Sequence, residues 1–171
     1  MEYLKLMQAL CSEIDVVAKT IANELDRGFD ITSDSNIQKW GFVLQNKLPN
    51  ILTTSVVFNH SLIVAPWDNW EYEQFNNKKG ALCYRLKAGK HTPSWWNAYT
   101  KVKHKRTQIS NDGHINFTKA NQINLISCFA ALFVLETEFM HTMCNEQEPL
   151  DGIRESRVFQ YYYSQFDDII Y

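Results

Sequence analysis

Apolar residues at Leu4, Met7, Cys11, Ile14, Ala18, Ile21 and Leu25 recur in alternating steps of three and four without a break. That spacing predicts an amphipathic helix over about residues 2–25, with Leu10 and Val17 widening its stripe and Glu13, Asp15, Lys19, Asn23 and Glu24 outside it. Ser35, with Gln38 three residues on, has the form of a capping box and predicts a second helix over 35–48. Its apolar positions are Ile37, Trp40, Val43 and Leu44, and Pro49 ends it. The period then changes. Residues 55–64 are β-branched and aromatic around a polar Asn59-His60-Ser61 centre, which predicts a short β-hairpin or an extended insertion. Residues 66–70 and 76–80 have loop composition, and 82–86 has room for a brief extended element.

Pro93 suits the first turn of a third helix over 93–106, with Thr92 as its cap. A fourth helix spans about 118–144 and is apolar on most sides between Ile123 and Leu135. Such a helix either lies at the centre of a bundle or packs on its own core and on a partner. Asn121 and Asn124, near its start, need hydrogen-bond partners if buried. The polar stripe of the third helix is the expected source. Together these elements predict a mostly α fold, a helical bundle with a short β-hairpin or extended insertion. No repeat or linker composition divides the 171 residues, so one α-helical domain over 1–171 is expected.

On the third helix, Trp95, Ala98, Tyr99 and Val102 share a face suited to burial, while Asn97, Thr100, Lys101 and His104 share a neighbouring polar one. Lys103, Lys105 and Arg106 flank the histidine. The net charge of −2 hides a local bias. Between Gln74 and Asn111 there is no Asp or Glu, although Lys78, Lys79, Arg85, Lys87, Lys90, Lys101, Lys103, Lys105 and Arg106 all fall there. Acidic residues gather instead near the C-terminus, from Glu136 to Asp168. A basic segment of this kind suits a phosphate-bearing partner or an internal charge match. Cys11, Cys83, Cys128 and Cys144 lack metal-ligand spacing, and Cys11 and Cys128 sit in apolar surroundings as buried free thiols would. The N-terminus lacks a leader pattern, and the apolar run 129–135 is too short to span a bilayer, so a cytoplasmic location without membrane contact is expected.

No phosphate-binding glycine loop, dinucleotide fingerprint, zincin motif or nucleophile elbow occurs. Nor do clustered carboxylates for metal-dependent phosphoryl transfer lie near the basic segment. The chemistry left to a histidine among cations is metal-free work on a phosphate. Imidazole takes or gives a proton near neutral pH, and Lys or Arg stabilises charge on the phosphorane. RNA carries its own nucleophile, the 2′-OH.

The order of elements, from a long first helix through an irregular insertion to a polar helix ending in Lys103-His104-Lys105-Arg106 and a last apolar helix, resembles the HEPN superfamily. Residues 11–17 (Cys-Ser-Glu-Ile-Asp-Val-Val), 66–70 (Pro-Trp-Asp-Asn-Trp) and 94–106 are similar to stretches of bacterial HEPN-like proteins. The resemblance implies an α-helical, usually dimeric domain of a superfamily rich in metal-independent RNases of toxin–antitoxin, abortive-infection and CRISPR systems. The implied activity is an RNA-directed, metal-independent endoribonuclease; the alternative is a non-catalytic dimeric scaffold or partner-binding module. His104 would be the general acid–base, with Arg106 beside it. Lys101, Lys103 and Lys105 would bind phosphate, and Asn97 would orient the site. The implied partners are RNA, a second copy of the chain and a cognate antitoxin or defence-system protein, with no cofactor or metal. The active motif of the superfamily is Arg, a polar residue, three to five others, then His. Counting back from His104 puts Tyr99 where Arg belongs and Thr100 at the polar position. Arg85 and His91 also fit the spacing, but across the turn residues Ala88-Gly89.

Overall fold

A computed structural model describes residues 2–144 and 158–162. Four α-helices dominate the regular structure of the described residues: α1 (Glu2–Leu25), α2 (Ile37–Lys47), α3 (Ser94–His104) and α4 (Gln122–Met143). Between α2 and α3 come two hairpins, β1 (Ser55–Phe58) with β2 (Leu62–Val64), and β3 (Tyr72–Asn76) with β4 (Leu82–Leu86). A last strand, β5 (Phe159–Tyr162), pairs antiparallel with β1 and makes a three-stranded sheet in the order β2-β1-β5. The fold is predominantly α-helical with two small antiparallel sheets.

The α1 periodicity is realised over the predicted range, and Met7, Cys11, Ile14, Ala18 and Ile21 are buried. The α2 cap differs from the expectation. The Ser35 hydroxyl is already engaged, accepting from the Thr32 N–H at 2.9 Å, so the helix starts one residue later. Asn36 is the cap, its side-chain oxygen accepting from the N–H groups of Gln38 and Lys39. Likewise Pro93, not Thr92, is the N-cap of α3, and no side chain caps that end. The predicted hairpin near 55–65 is present. Asn59 and His60 both take positive φ (49° and 59°), as a tight turn matched to strand twist requires. The β3–β4 hairpin exceeds the expected brief strand at 82–86. Asn77 shapes its turn, its side-chain oxygen accepting from Lys79 N–H and Ala81 N–H. Residues 158–171 are rich in aromatic and branched apolar side chains; Phe159 is buried on the sheet, and Tyr163, Ile169, Ile170 and Tyr171 lie outside the described residues.

The core is organised around tryptophan. Trp40, Trp67, Trp70 and Trp95 are all fully buried or nearly so, and their rings meet at centroid separations of 4.7–6.5 Å. Each of three indole N–H groups ties two segments together: Trp40 to the Asp15 carboxylate on α1 (3.0 Å), Trp67 to the Ala131 carbonyl on α4 (3.1 Å), and Trp95 to the Pro66 carbonyl (2.8 Å). The buried Gln45 amide clamps the Tyr72 backbone, accepting from its N–H (2.6 Å) and donating to its carbonyl (2.7 Å), which fixes β3 on α2. Burial pushes the Tyr72 phenol above its ordinary range, with Trp70 and Thr92 close enough to oppose the shift. Neither the Tyr72 hydroxyl nor the Trp70 indole N–H makes a well-aligned hydrogen bond.

Gly41 is what lets this cluster close. A Cβ at that position would fall 2.4 Å from Trp70 Cζ2 and 2.8 Å from Tyr72 Cε2, atoms of rigid rings held on every side. Gly41→Ala is therefore expected to cost about 1–3 kcal/mol, as overpacking of a filled core does. In a chain of this size that lowers Tm by roughly 2–4 °C per kcal/mol. Gly28→Ala, whose added Cβ meets only Asp26 Oδ1 at 3.6 Å, is the control and should leave Tm nearly unchanged. Equal melting of the two variants would show that the indole cluster yields more freely than its packing implies.

Candidate phosphate-binding site at the end of α3

α3 is anchored by its aromatic side. Trp95, Ala98, Tyr99 and Val102 are buried, so Asn97, Thr100 and His104 face outward and Lys101 is half-buried. The helix ends at His104, two residues short of the predicted boundary, because Lys105 leaves helical geometry at φ −135°, ψ 33°. Lys105 and Arg106 thus belong to the following loop, and both are exposed. Lys101, one turn before His104, points to the same side. Asn97 lies a further turn back, about 10 Å along the axis from His104 at 1.5 Å per residue. Lys103 sits with its Nζ 5.4 Å from the centre of the Tyr99 ring, a cation–π contact. The carbonyls at this C-terminal end carry partial negative charge, which favours the cations gathered there.

A residue that sequence reasoning missed holds the loop in place. Asn116, 3% exposed, donates from its side-chain amide to the Lys105 carbonyl at 2.9 Å. The Phe117 N–H donates to the Arg106 carbonyl at 3.1 Å, and the Ser110 hydroxyl meets the Asn116 side-chain oxygen. An asparagine inside a polar turn carries no signal that would set it apart in the sequence. Arg106 borders a recess of about 400 Å³ shared with Tyr3, Leu4, Phe117, Thr118 and Ala120. Asn121 and Asn124 do not turn to α3 as expected. Asn121 caps α4 by accepting from Asn124 N–H, and the Asn124 amide donates to the Lys119 carbonyl. Both needs are met locally because the short 3-10 turn at Asn116–Lys119 brings that carbonyl within reach.

The cations of the acid-free segment are not equally neutralised. Arg85 pairs with Glu73 at 2.7 Å, and Lys87 and Lys90 both pair with Glu71 at 2.6 and 3.0 Å. The two lysines hold the Glu71 carboxyl below its ordinary range. These acids stand just before the segment in sequence and across the hairpin in space. By contrast, Lys101, Lys103, His104, Lys105 and Arg106 make no ion pair among the described residues. No three His, Cys, Asp or Glu side chains converge as a metal site would need, among the described residues. His91, the other half of the alternative Arg–His spacing, is exposed on the turn after β4, and its partner Arg85 is occupied by Glu73.

Cys11 and Cys128 are buried free thiols with their sulfurs 3.4 Å apart. The neighbouring thiol and burial raise Cys11 far above its ordinary range, so it stays protonated and unreactive. By length and composition α4 is apolar enough to cross a membrane, with a mean hydropathy of 1.6 over its most apolar window. Here 44% of that window is buried within the protein.

No protein-family model, curated protein or solved structure matches the chain.

The split of charge has a direct readout on immobilised heparin. Lys103→Glu with Arg106→Glu should elute at clearly lower salt than the parent protein. Glu71→Gln with Glu73→Gln should elute later, since it releases Arg85, Lys87 and Lys90 from their pairs. The Glu71 pairs are present above the ordinary carboxylate pKa and are lost as pH falls through the depressed one, so acid should mimic the second variant. Elution unaffected by the first variant would remove the α3 end as the anion-binding surface.

Proposed function

We propose that the chain is an RNA-directed protein of HEPN-like design, acting as a metal-independent endoribonuclease through the end of α3. The observation that carries the reading is selective neutralisation. Three of the nine cations of the acid-free segment, Arg85, Lys87 and Lys90, are paired to Glu71 and Glu73, whereas the cluster around His104 is largely exposed and has no acid paired to it among the described residues. Exposed cations held at a helix end by buried aromatics and by Asn116 suit a polyanion better than an internal charge match. In this reading Lys101, Lys103, Lys105 and Arg106 grip phosphates flanking the scissile bond. His104 takes the proton from the ribose 2′-OH, and the 2′-oxygen attacks phosphorus. The P–O5′ bond breaks, and the departing 5′-oxygen receives a proton from an acid. The products are a 2′,3′-cyclic phosphate and a 5′-hydroxyl end, with no oxidant or metal required.

One histidine acts as base or acid, not both at once. A second copy of the chain, related by a two-fold axis near the α3 ends, would bring a second His104 across the cleft. Repulsion between the two basic ends opposes that dimer, but at physiological salt it extends only about 8 Å. A bound polyanion relieves it, so RNA or sulfate should tighten the dimer.

A second reading is favoured by one position. Tyr99 stands where the RNA-cleaving motif carries Arg, and it is buried among Trp96 and the core. A chain with that substitution fits a non-catalytic, RNA-binding or scaffolding role. Incubation of the purified protein with structured RNA in EDTA separates the two. Cleavage to cyclic-phosphate ends, reduced at least 100-fold in His104→Ala, is the expected result for the enzyme, with Arg106→Ala weakening RNA binding and making its salt dependence shallower. Intact RNA bound in a salt-dependent manner leaves the binding role. Absence of any RNA affinity at low salt, with light scattering showing a monomer with and without sulfate, removes both the nuclease and its composite site.

A further inference from the structure

The 3-10 turn that holds the basic loop after α3 also builds a recess beside it. Asn116 donates to the Lys105 carbonyl at 2.9 Å, and Phe117 N–H donates to the Arg106 carbonyl at 3.1 Å. Phe117, Thr118 and Ala120 of the same stretch line the recess of about 400 Å³ that Arg106 borders, and Tyr3 and Leu4 of α1 complete it. Loop and recess wall are therefore joined through backbone carbonyls, which fixes one against the other. Phe117 and Tyr3 are 51% and 47% exposed, so both rings are open to a ligand. The Thr118 hydroxyl already donates to the Ile115 carbonyl at 2.8 Å, and Arg106 is the one charged side chain in the lining. The volume falls in the range of sites that hold small organic groups, roughly 300–1,000 Å³.

A ligand that suits this place brings negative charge to Arg106 and a flat apolar group to the aromatic recess next to it. The charge is also repeated, because Lys101, Lys103 and Lys105 make no ion pair among the described residues either. Single-stranded RNA carries both features, a phosphate at every step and unpaired bases whose faces pack on aromatic side chains. A duplex keeps its bases stacked and paired, so it offers the recess nothing. An anionic amphiphile would fill the recess and meet Arg106, but it would leave the three lysines without a role.

We infer that the recess is a base pocket, which takes one unpaired base of a single-stranded RNA against Phe117 and Tyr3 while Arg106 holds an adjoining phosphate. The inference rests on the RNA reading of the α3 end, and it adds that the RNA is single-stranded where it meets this loop. It needs no cleavage, so it applies equally to a nuclease and to a binding protein. The two kinds of contact differ in their response to salt. Removing a phosphate contact makes the salt dependence of binding shallower, whereas removing an aromatic ring lowers affinity and leaves that dependence as it was.

The test uses the full chain and fluorescein-labelled 2′-O-methyl RNA, whose blocked 2′-oxygen prevents cleavage. Three probes are compared by fluorescence anisotropy: a single strand, the same strand in a blunt duplex, and the same strand with abasic central positions. The single strand should bind about tenfold more tightly than either of the others. Charge density alone would favour the duplex, so that order identifies the base. Phe117→Ala and Tyr3→Ala should each weaken single-strand binding about fivefold or more with an unchanged salt dependence, and Phe117→Trp should retain it. Arg106→Ala should instead make the salt dependence shallower by about one phosphate contact. Equal binding of the intact and abasic strands overturns the pocket and leaves a surface that grips phosphates alone. A single-strand preference that survives in both alanine variants also overturns it, since the bases would then sit elsewhere. Absence of binding to all three probes removes the RNA reading and the pocket together. Saturable binding of laurate in that case, lost in Arg106→Ala, would assign the recess to an anionic amphiphile.

Discussion

The structure depends on burying four large indoles while finding acceptors for three of their N–H groups. An indole brings more apolar area than any other side chain, but its N–H must find an acceptor or cost on the order of 1–3 kcal/mol. Three of the four buried rings meet this by reaching across the fold: Trp40 to the Asp15 carboxylate, Trp67 to the Ala131 carbonyl, Trp95 to the Pro66 carbonyl. Each bond crosses between segments far apart in sequence, so satisfying the indoles also fixes how the helices and the insertion sit. The loop 66–70 is tied to α3 and α4 for this reason, although its composition is that of a turn. The direction of α3 follows as well, because Trp95 and Tyr99 can be buried only if the helix presents its polar side, and with it His104, to solvent.

What could be foreseen divides along the same physical line. Features set by local periodicity were legible: the extent of α1, the hairpin around Asn59 and the buried stripe of α3. Features set by competition for one hydroxyl or one carbonyl were not. Ser35 matches the capping-box pattern, but its hydroxyl serves Thr32, and Asn36 takes the role. The end of α3 depends on where the Lys105 carbonyl finds its donor, and that donor is Asn116, eleven positions later. The second hairpin was half visible because its β3 strand mixes Glu73, Gln74 and Asn76 with aromatics and lacks clean alternation. It is held by the Gln45 clamp at Tyr72 as much as by its own pairing.

The site was legible in its residues and not in its charge. A linear count assigns nine cations to one surface. The hairpin then folds Glu71 and Glu73 back onto three of them, because antiparallel register places Glu73 opposite Arg85. Sequence distance to the nearest acid is therefore a poor guide to exposure of positive charge when a hairpin lies between. Apart from Lys78 and Lys79 in the hairpin turn, the cations without an ion pair among the described residues stand beyond the hairpin, at the end of α3 and in the loop that follows it. That distinction is what separates His104 from His91, two histidines with similar basic flanks in the chain.

α4 shows why an apolar helix does not by itself declare its environment. Its Cys128 faces α1, where the thiol of Cys11 sits 3.4 Å away, and its Ala131 carbonyl accepts from the Trp67 indole N–H. Phe133 stacks on Phe159 of β5 with ring centroids 5.6 Å apart. Phe129, Met140 and Met143 are between 43% and 54% exposed. One apolar helix thus meets a helix, a loop and a sheet on different sides. Hydropathy summed along the chain averages over those sides, which is why a core helix and a membrane span pass the same test of length and composition.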